Sequence, residues 1–281
     1  MPLDVTTEHY LLSFKPYASM NKAHHMLLFG CDEPGSDELI WDCGEMTKAG
    51  PNFERQPSCK GRPNILYAWG RDAPKLTLPQ GVGFKVGGDT DIKYLVLQVH
   101  YMKKIETDYS GVAIESTIEP VEKVANTLLM VTGGILPPKQ QETFETACII
   151  DEDVELHPFA FRTHAHRHGV KISGWIVHED EEGKDKWELI GERDPLLPQN
   201  FQPVNNTNLV IRQGDIVAAR CVMNNKENKA FMMGNTGEDE MCNYYLMYWV
   251  YEKFRDNVCY SPGAPEYRFS TNAGLNHIPK I

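Results

Sequence analysis

The sequence has no long apolar run, no excess of basic residues and no helical periodicity over ten or more residues. No stretch approaches the roughly 20 apolar residues of a membrane helix, so no membrane segment is predicted. Lys and Arg number 28 against 39 Asp and Glu, a net charge of −11. This balance argues against nucleic-acid binding, which requires a basic face. At 281 residues, the chain is long enough for one or two domains with a substantial core.

The seven cysteines form no CxxC motif, which excludes the spacings of zinc fingers and thioredoxins. Scattered cysteines in a strand-rich chain are typical of a secreted, disulfide-bonded protein, and a cytosolic protein with buried free thiols is the alternative. Asn205-Asn206-Thr207 is a glycosylation sequon. PLDVTTEHY after Met1 lacks the charged and apolar regions of a targeting signal. Secretion would therefore require a signal peptide outside this chain.

Strand-like runs extend along almost the whole chain. They are rich in β-branched and aromatic residues and are separated by Gly, Pro and Asn. The pattern predicts an all-β fold of two tandem antiparallel, jelly-roll-like β-sandwiches. The stretch PVEKVANT is the predicted junction, which gives domains at 1–121 and 122–281. The clearest predicted strands are 93–101, 111–119, 169–178, 208–223 and 243–254.

A first group of histidines consists of the adjacent His24 and His25, with His100 in a predicted strand. Three imidazoles without a thiolate suit copper or zinc, and accidental surface polarity is the alternative for an adjacent pair. Neighbouring strand residues point to opposite faces. Two adjacent histidines therefore share a metal only where the backbone bends, as at an irregular edge or loop. Gln98 shares the face of His100 and is a candidate hydrogen-bond partner of the ligands.

A second group contains His164 and His166, which lie two residues apart and so share one face of a strand. Met241, Asn243 and Tyr245 also share a face. A methionine thioether favours Cu(I) and is rarely used by zinc, so a third ligand of this kind would indicate redox copper. Most methionines fill cores. The spacing therefore leaves several candidates open for the third ligand, namely Met241, Met223, Met232, Met233 and Met247.

Several motifs occur in order along the chain: HHMLLFGC, ILYAWGRDAP, LPQGVGFKVGGDT, LQVHY, PFAFRTHAHRHG, LIGERDPLLPQNFQPV, GDIVAARC and DEMCNYYLMYW. Together they resemble the catalytic core of the peptidylglycine α-hydroxylating monooxygenases, in the copper type II, ascorbate-dependent monooxygenase family. The resemblance runs from about Tyr10 to Cys259. AWGRDAP and DPLLPQNFQPV look more like this branch than like the dopamine β-monooxygenase branch, which shares the copper ligands.

The resemblance implies two copper ions, one in each β-sandwich. It also implies ascorbate and O2 as co-substrates. The first copper, which stores and passes an electron, would take three imidazole ligands. The second, catalytic copper would take two imidazoles and a thioether. By position, the implied ligands are His24, His25 and His100 for the first copper and His164, His166 and Met241 for the second.

The resemblance also implies roles for residues around these ligands. Arg162, Asn243 and Tyr245 would hold the carboxylate of a C-terminal glycine, with Tyr245 close to the reacting centre. Arg is suited to this role because its planar guanidinium offers paired donors to a carboxylate. Gln98 would lie on a path between the two coppers. His157 would be structural or would support the ligands.

The cysteine pairing implied by the resemblance is Cys31–Cys59, Cys148–Cys259 and Cys221–Cys242. Cys43 is left over, because its implied partner lies upstream of Met1. A further implied disulfide would need a cysteine near Tyr109, and the sequence has none there. We therefore expect either a preceding segment that carries a signal peptide and a first strand, or divergence of this chain from the family pattern at these cysteines.

The implied function is α-hydroxylation of a C-terminal glycine in peptides, the first step of C-terminal amidation. A separate or fused lyase would complete the amidation, in the secretory pathway, in secretory granules or outside the cell. Two alternatives remain open. One is a copper monooxygenase that acts on a small molecule, as dopamine β-monooxygenase does. The other is a non-catalytic, secreted copper-binding sandwich.

Overall fold

The computed structural model describes residues 1–43, 55–70, 72–101, 104–234, 238–251 and 257–281. These residues form strands almost throughout, with one short helix, α1 (Phe269–Asn272). None of the described helices is long and apolar enough to cross a membrane. The strands are β1 (Glu8–Tyr17), β2 (Ala23–Cys31), β3 (Asn64–Gly70), β4 (Leu76–Thr77), β5 (Val82–Gly87), β6 (Tyr94–Tyr101), β7 (Gly111–Thr117), β8 (Lys123–Thr132), β9 (Ile135–Leu136), β10 (Gln141–Ile149), β11 (His157–His164), β12 (Gly169–Glu179), β13 (Asp185–Arg193), β14 (Gln202–Pro203), β15 (Ile216–Asn224), β16 (Phe231–Met232), β17 (Asn243–Val250) and β18 (Val258–Ser261).

The chain divides into two compact units. The first contains Met1–Thr127 and Pro198–Phe201, and the second contains Leu128–Leu197 and Gln202–Ile281. The predicted all-β fold with two β domains is confirmed. The predicted boundary at 121/122 stays a prediction.

In the first unit, β2 lies between β3 and β6 in an antiparallel three-stranded sheet. A second sheet pairs β1 with β4, β5 and β7, also antiparallel. Phe14 of β1 stacks on Tyr67 of β3, with ring centroids 5.1 Å apart, and contacts Phe84 of β5 at 6.2 Å. These rings are fully buried, so the two sheets of this unit enclose an aromatic core.

In the second unit, one sheet has the order β10-β15-β12-β13, and another includes β14-β11-β17. Two glycines let these sheets approach closely. A Cβ on Gly174 of β12 would overlap the ring of Tyr244, and one on Gly191 of β13 would overlap the ring of Phe161. Phe161 and Tyr244 are themselves stacked, with ring centroids 5.7 Å apart. The close packing of this core therefore requires glycine at both positions, opposite two large aromatic rings.

Two features differ from the predicted pattern. Strand β8 pairs in parallel, through Lys123 and Val124 with β5 in the first unit and through Leu129–Thr132 with β18 in the second. The run at 208–223 is a strand only in its second half, β15. Gly214 has φ +91°, a left-handed turn conformation that glycine adopts readily, and this turn ends the extended pattern before β15 begins.

Three disulfides join strands or segments within the units: Cys31–Cys59, Cys148–Cys259 and Cys221–Cys242. These are the pairings that the resemblance implied. Cys148–Cys259 links β10 to β18. Cys221–Cys242 links β15 to the residue that precedes β17. Disulfides of this kind form and persist in oxidising compartments.

Candidate metal and substrate site

The first histidine group lies on two paired strands of the first unit. His25 of β2 is directly opposite His100 of β6. Their rings are stacked with centroids 4.0 Å apart and an interplanar angle of 23°. The Nδ1 atoms of His24 and His25 lie 3.0 Å apart. The structure therefore brings all three predicted imidazoles together.

The irregularity that the adjacent histidines require is a β-bulge. Ala23 pairs with Tyr101 and His25 pairs with His100, so His24 is an extra residue on β2. A bulge bends the strand and re-aims a side chain, which turns His24 toward the ring of its neighbour. The predicted edge or loop location was wrong, because β2 is the central strand of its sheet. The predicted bend in the backbone is present.

Gln98 lies two residues before His100 and is buried. Its Nε2 donates to Cys43 Sγ at 3.0 Å and to Ser58 Oγ at 3.3 Å. Its buried Oε1 has no hydrogen-bond partner among the described residues. Tyr101, the residue after His100, is 45% exposed; desolvation of its buried part, together with a hydrogen bond to Asp108, raises its pKa to about 12. This phenol is therefore neutral at physiological pH.

The second group is organised by the antiparallel pair β11–β17. His164 is directly opposite Asn243, and Arg162 is directly opposite Tyr245. Alternate residues of a strand share a face, so all four side chains lie on one face of this pair. His166 lies two residues after the end of β11, and Met241 lies two residues before the start of β17, at the same end of the paired region.

The three predicted carboxylate-binding residues are in contact with one another. The guanidinium carbon of Arg162 lies 4.7 Å from the centre of the Tyr245 ring. Asn243 Nδ2 donates to the Tyr245 hydroxyl at 2.9 Å. All three residues are at most 5% exposed. The buried Oδ1 of Asn243 has no partner among the described residues, so the cluster retains an unused polar group.

The tautomer of His166 is fixed by its surroundings. Its Nδ1 lies 2.9 Å from the carbonyl oxygen of Asp239. A carbonyl only accepts hydrogen bonds, so Nδ1 carries the proton and Nε2 is left as a ligand atom. The rings of His164 and His166 are 5.4 Å apart. Asp239 lies two residues before Met241, which puts the thioether-bearing segment beside this pair of histidines.

The donor types of both histidine groups fit copper. Within the described ranges, no three His, Cys, Asp or Glu side chains are arranged around a common point. The first unit nevertheless offers three contiguous imidazoles, which suit copper. The second offers two imidazoles beside a segment with a thioether, a set that favours copper over zinc.

His157 is not near the second histidine group. It begins β11 and His164 ends it, so about 23 Å of strand separates them at roughly 3.3 Å per residue. Its ring stacks on Trp249, with centroids 3.7 Å apart and planes 7° apart. This contact gives His157 a packing role on β11–β17.

Sequence reasoning missed Glu240. This residue is 0% exposed and accepts hydrogen bonds from the segments that carry His166 and Met241. A glutamate in the run GEDEM resembles ordinary loop charge. The only sequence signal was its position directly before a candidate methionine ligand.

Comparison with known proteins agrees with these observations. The model of the copper type II ascorbate-dependent monooxygenase N-terminal domain matches residues 1–108, and that of the C-terminal domain matches residues 123–272. A solved structure of infectious bursal disease virus, Gx strain, shows only a weak likeness. It has a TM-score of 0.25 and 11% identity, over 90% of this chain and 60% of that chain.

Curated relatives match most of the chain. The peptidylglycine alpha-amidating monooxygenase of Rattus norvegicus is 40% identical over 261 residues, 90% of this chain and 25% of its own length. Peptidyl-glycine alpha-amidating monooxygenase A of Xenopus laevis is 39% identical over 256 residues, 88% and 26% respectively. Dopamine beta-hydroxylase of Homo sapiens is 24% identical over 273 residues, 86% and 41% respectively. The chain thus spans about a quarter of the length of the amidating monooxygenases. From the two domain matches, the chain belongs to the copper type II ascorbate-dependent monooxygenase family.

Proposed function

We propose that this chain hydroxylates the α-carbon of a C-terminal glycine in peptides, using O2, copper and ascorbate. The observation that carries this proposal is the buried cluster of Arg162, Asn243 and Tyr245 beside His164. A guanidinium in this setting is a strong, geometrically specific partner for a carboxylate. The relatives named as peptidylglycine alpha-amidating monooxygenases support the same substrate class.

We assign two copper ions to the two histidine groups. His24, His25 and His100 would hold one, and His164, His166 and Met241 the other. When bound, copper supplies single-electron transfer and O2 activation, with the three-imidazole set as the electron donor. We also propose Gln98 as a residue of the electron path, because its buried amide joins the strand of His100 to Ser58 and Cys43.

The residues of β11 and β17 position the substrate. Arg162 is two residues from His164 on the same strand face, about 7 Å along the strand. A glycine carboxylate bound to Arg162 would therefore hold its α-carbon close to the His164 end of the cluster. Asn243 offers its Oδ1 to a substrate N–H. Fixed placement of this kind is a large source of rate acceleration.

The overall reaction balances with two molecules of ascorbate. The glycine C–H, O2, two electrons and two protons give the hydroxylated carbon and one water. Each ascorbate gives up one electron and one proton and becomes semidehydroascorbate. The α-hydroxyglycine product would then break down to the peptide amide and glyoxylate through a lyase, either separate or fused. The three disulfides support a location in the secretory pathway, in secretory granules or outside the cell.

The test is ascorbate-dependent O2 uptake by the copper-loaded protein with three substrates. These are an acyl-glycine, the same compound with its carboxylate converted to an amide, and a phenethylamine. We expect a hydroxylated product from the acyl-glycine alone. Turnover of the phenethylamine would instead support the small-molecule function of dopamine beta-hydroxylase, the more distant relative. Absence of ascorbate-dependent O2 uptake with all three would contradict both functions.

A further inference from the structure

The carboxylate of Glu240 is enclosed by four hydrogen-bond donors. Oε1 accepts from the backbone N–H of His166 at 2.6 Å and from the backbone N–H of the next residue, Met241, at 2.9 Å. Oε2 accepts from the backbone N–H of His168 at 2.9 Å and from His168 Nδ1 at 2.7 Å. The side chain is fully buried. One carboxylate therefore joins the segment after β11 to the segment before β17.

These contacts exclude Glu240 as a metal ligand in its own right. A carboxylate offers about four lone-pair positions, and the four donors occupy them. Both oxygens point to backbone or to His168, so none remains for a metal. The backbone of Glu240 is also held, because its N–H donates to Met232 O at 2.8 Å and its carbonyl accepts from Gly234 at 2.9 Å.

We propose that Glu240 is the positioning residue of the second copper site. It sets the distance between two candidate ligands, His166 and Met241, which lie on separate chain segments. His166 and Glu240, which the hydrogen bond joins, are 74 residues apart in the sequence. It acts on their backbones, while the carbonyl of the preceding Asp239 fixes the His166 ring. The segment 239–241 thereby aligns an imidazole and a thioether from one short stretch of chain. This inference rests on the proposed ligand set.

His168 is the second residue that fixes this arrangement. Its Nε2 lies 3.2 Å from Glu227 Oε1, and its ring packs against Phe231 at 4.5 Å between centroids. The imidazole is 7% exposed. His168 thus holds Oε2 of Glu240 in place. Glu240 in turn fixes the turn between His164 and β12, through the N–H groups of His166 and His168. Partners of this kind tune metal affinity by about 10–100-fold when they are removed.

The decisive variant is Glu240→Gln in a His100→Ala background, in which the second site is the only proposed copper site left. An amide of the same shape accepts through only one of its two ends, so two of the four donors lose their acceptor. We expect copper affinity at this site to fall about 10–100-fold. In the copper-free protein we also expect faster hydrogen exchange at the amides of His166, His168 or Met241.

The matched control is Glu145→Gln in the same background. Glu145 is another buried carboxylate of the second unit, 1% exposed, and it accepts from Arg220 Nε and from the N–H of Ser270. We expect this change to lower stability without changing copper affinity. An equal loss of affinity in both variants would reduce Glu240 to a general stabilising residue and overturn the proposal.

A second variant covers failure of Glu240→Gln to fold. Glu240→Asp keeps the charge but is one methylene too short to reach both segments, so copper affinity should again fall. Unchanged copper affinity in every folded Glu240 variant would overturn the positioning role alone. If the His100→Ala protein itself bound no copper, or if Met241→Ile in that background left the copper affinity unchanged, the ligand set of the proposed function would fail instead.

Discussion

The guanidinium of Arg162 lies over the ring of Tyr245, 4.7 Å from its centre, and the two residues are directly opposed across β11–β17. A cation within about 6 Å of an aromatic face is attracted by the ring. This attraction helps to hold the guanidinium against the Tyr245 ring. Asn243 fixes the other end of Tyr245 through the hydroxyl. The three residues form a preorganised cluster whose positive charge is in place before any carboxylate arrives.

Replacement of Arg162 by Gln should strongly weaken recognition of the glycine carboxylate. Truncating one partner of a buried charge pair costs about 2–5 kcal/mol, which corresponds to at least about 30-fold in affinity. We expect kcat/KM for an acyl-glycine to fall by at least that factor, mainly through KM. Steady-state kinetics with ascorbate in excess measures it. Arg212→Gln is the control, because Arg212 is exposed and pairs with Glu155 at 2.9 Å; an equal loss there would contradict the role of Arg162.

Sequence patterns predicted most of the clearest strands and the local pairs His24/His25 and His164/His166, because alternation and spacing are local properties. A bend in the backbone at His24 and His25 was predicted, but its form as a β-bulge was not, since the bulge exists only in the register of β2 against β6. The role of Glu240 was likewise invisible, because three of its four donors come from residues more than 70 positions away. Register and long-range burial depend on the assembled fold, and a single sequence does not encode them in any short window.

The closeness of the two sheets in the second unit predicts that Gly191→Ala is destabilising. The new Cβ would overlap the ring of Phe161, and overpacking of this kind costs roughly 1–3 kcal/mol. We expect the free energy of unfolding to fall by that amount in denaturant titrations. Gly61→Ala is the control, because no heavy atom lies within 4 Å of its Cβ position. A neutral Gly191→Ala would show that the sheets separate more easily than the packing indicates.

The assignment of two separate copper sites predicts complementary losses. Met241→Ile should bind one copper per chain and keep the site of the first unit. His100→Ala should also bind one copper, but at the second unit. Both variants should lose turnover, because the reaction needs two electrons. Metal analysis after equilibration with copper measures the stoichiometry, and a Met241→Ile/His100→Ala chain should bind none.

Met223→Ile is the matched control for Met241→Ile. Met223 is a fully buried methionine of β15 and pairs with Gly169, so its replacement tests the loss of a buried thioether that is not assigned to copper. We expect two coppers per chain and turnover close to that of the unmodified protein. Loss of one copper in this variant would shift the ligand assignment away from Met241.

Removal of each disulfide in turn should affect stability and copper binding differently. Cys148 and Cys259 are 111 residues apart, and Cys221 and Cys242 are 21 apart. Loop-closure entropy then gives about 4–5 kcal/mol for the first bond and about 3 kcal/mol for the second. Replacing each pair by alanine should therefore lower the free energy of unfolding more for Cys148–Cys259, as chemical denaturation under non-reducing conditions would measure.

Copper binding should follow the opposite order, because Cys242 lies between Met241 and Asn243. Its bond to β15 fixes the chain that carries the proposed thioether ligand and one residue of the carboxylate cluster. We expect Cys221→Ala/Cys242→Ala to weaken copper binding at the second unit and to raise KM for an acyl-glycine. Cys148→Ala/Cys259→Ala should leave both nearly unchanged at temperatures where it stays folded. A larger loss of copper affinity in the Cys148–Cys259 variant would mean that overall stability, rather than the local anchor at Cys242, controls the site.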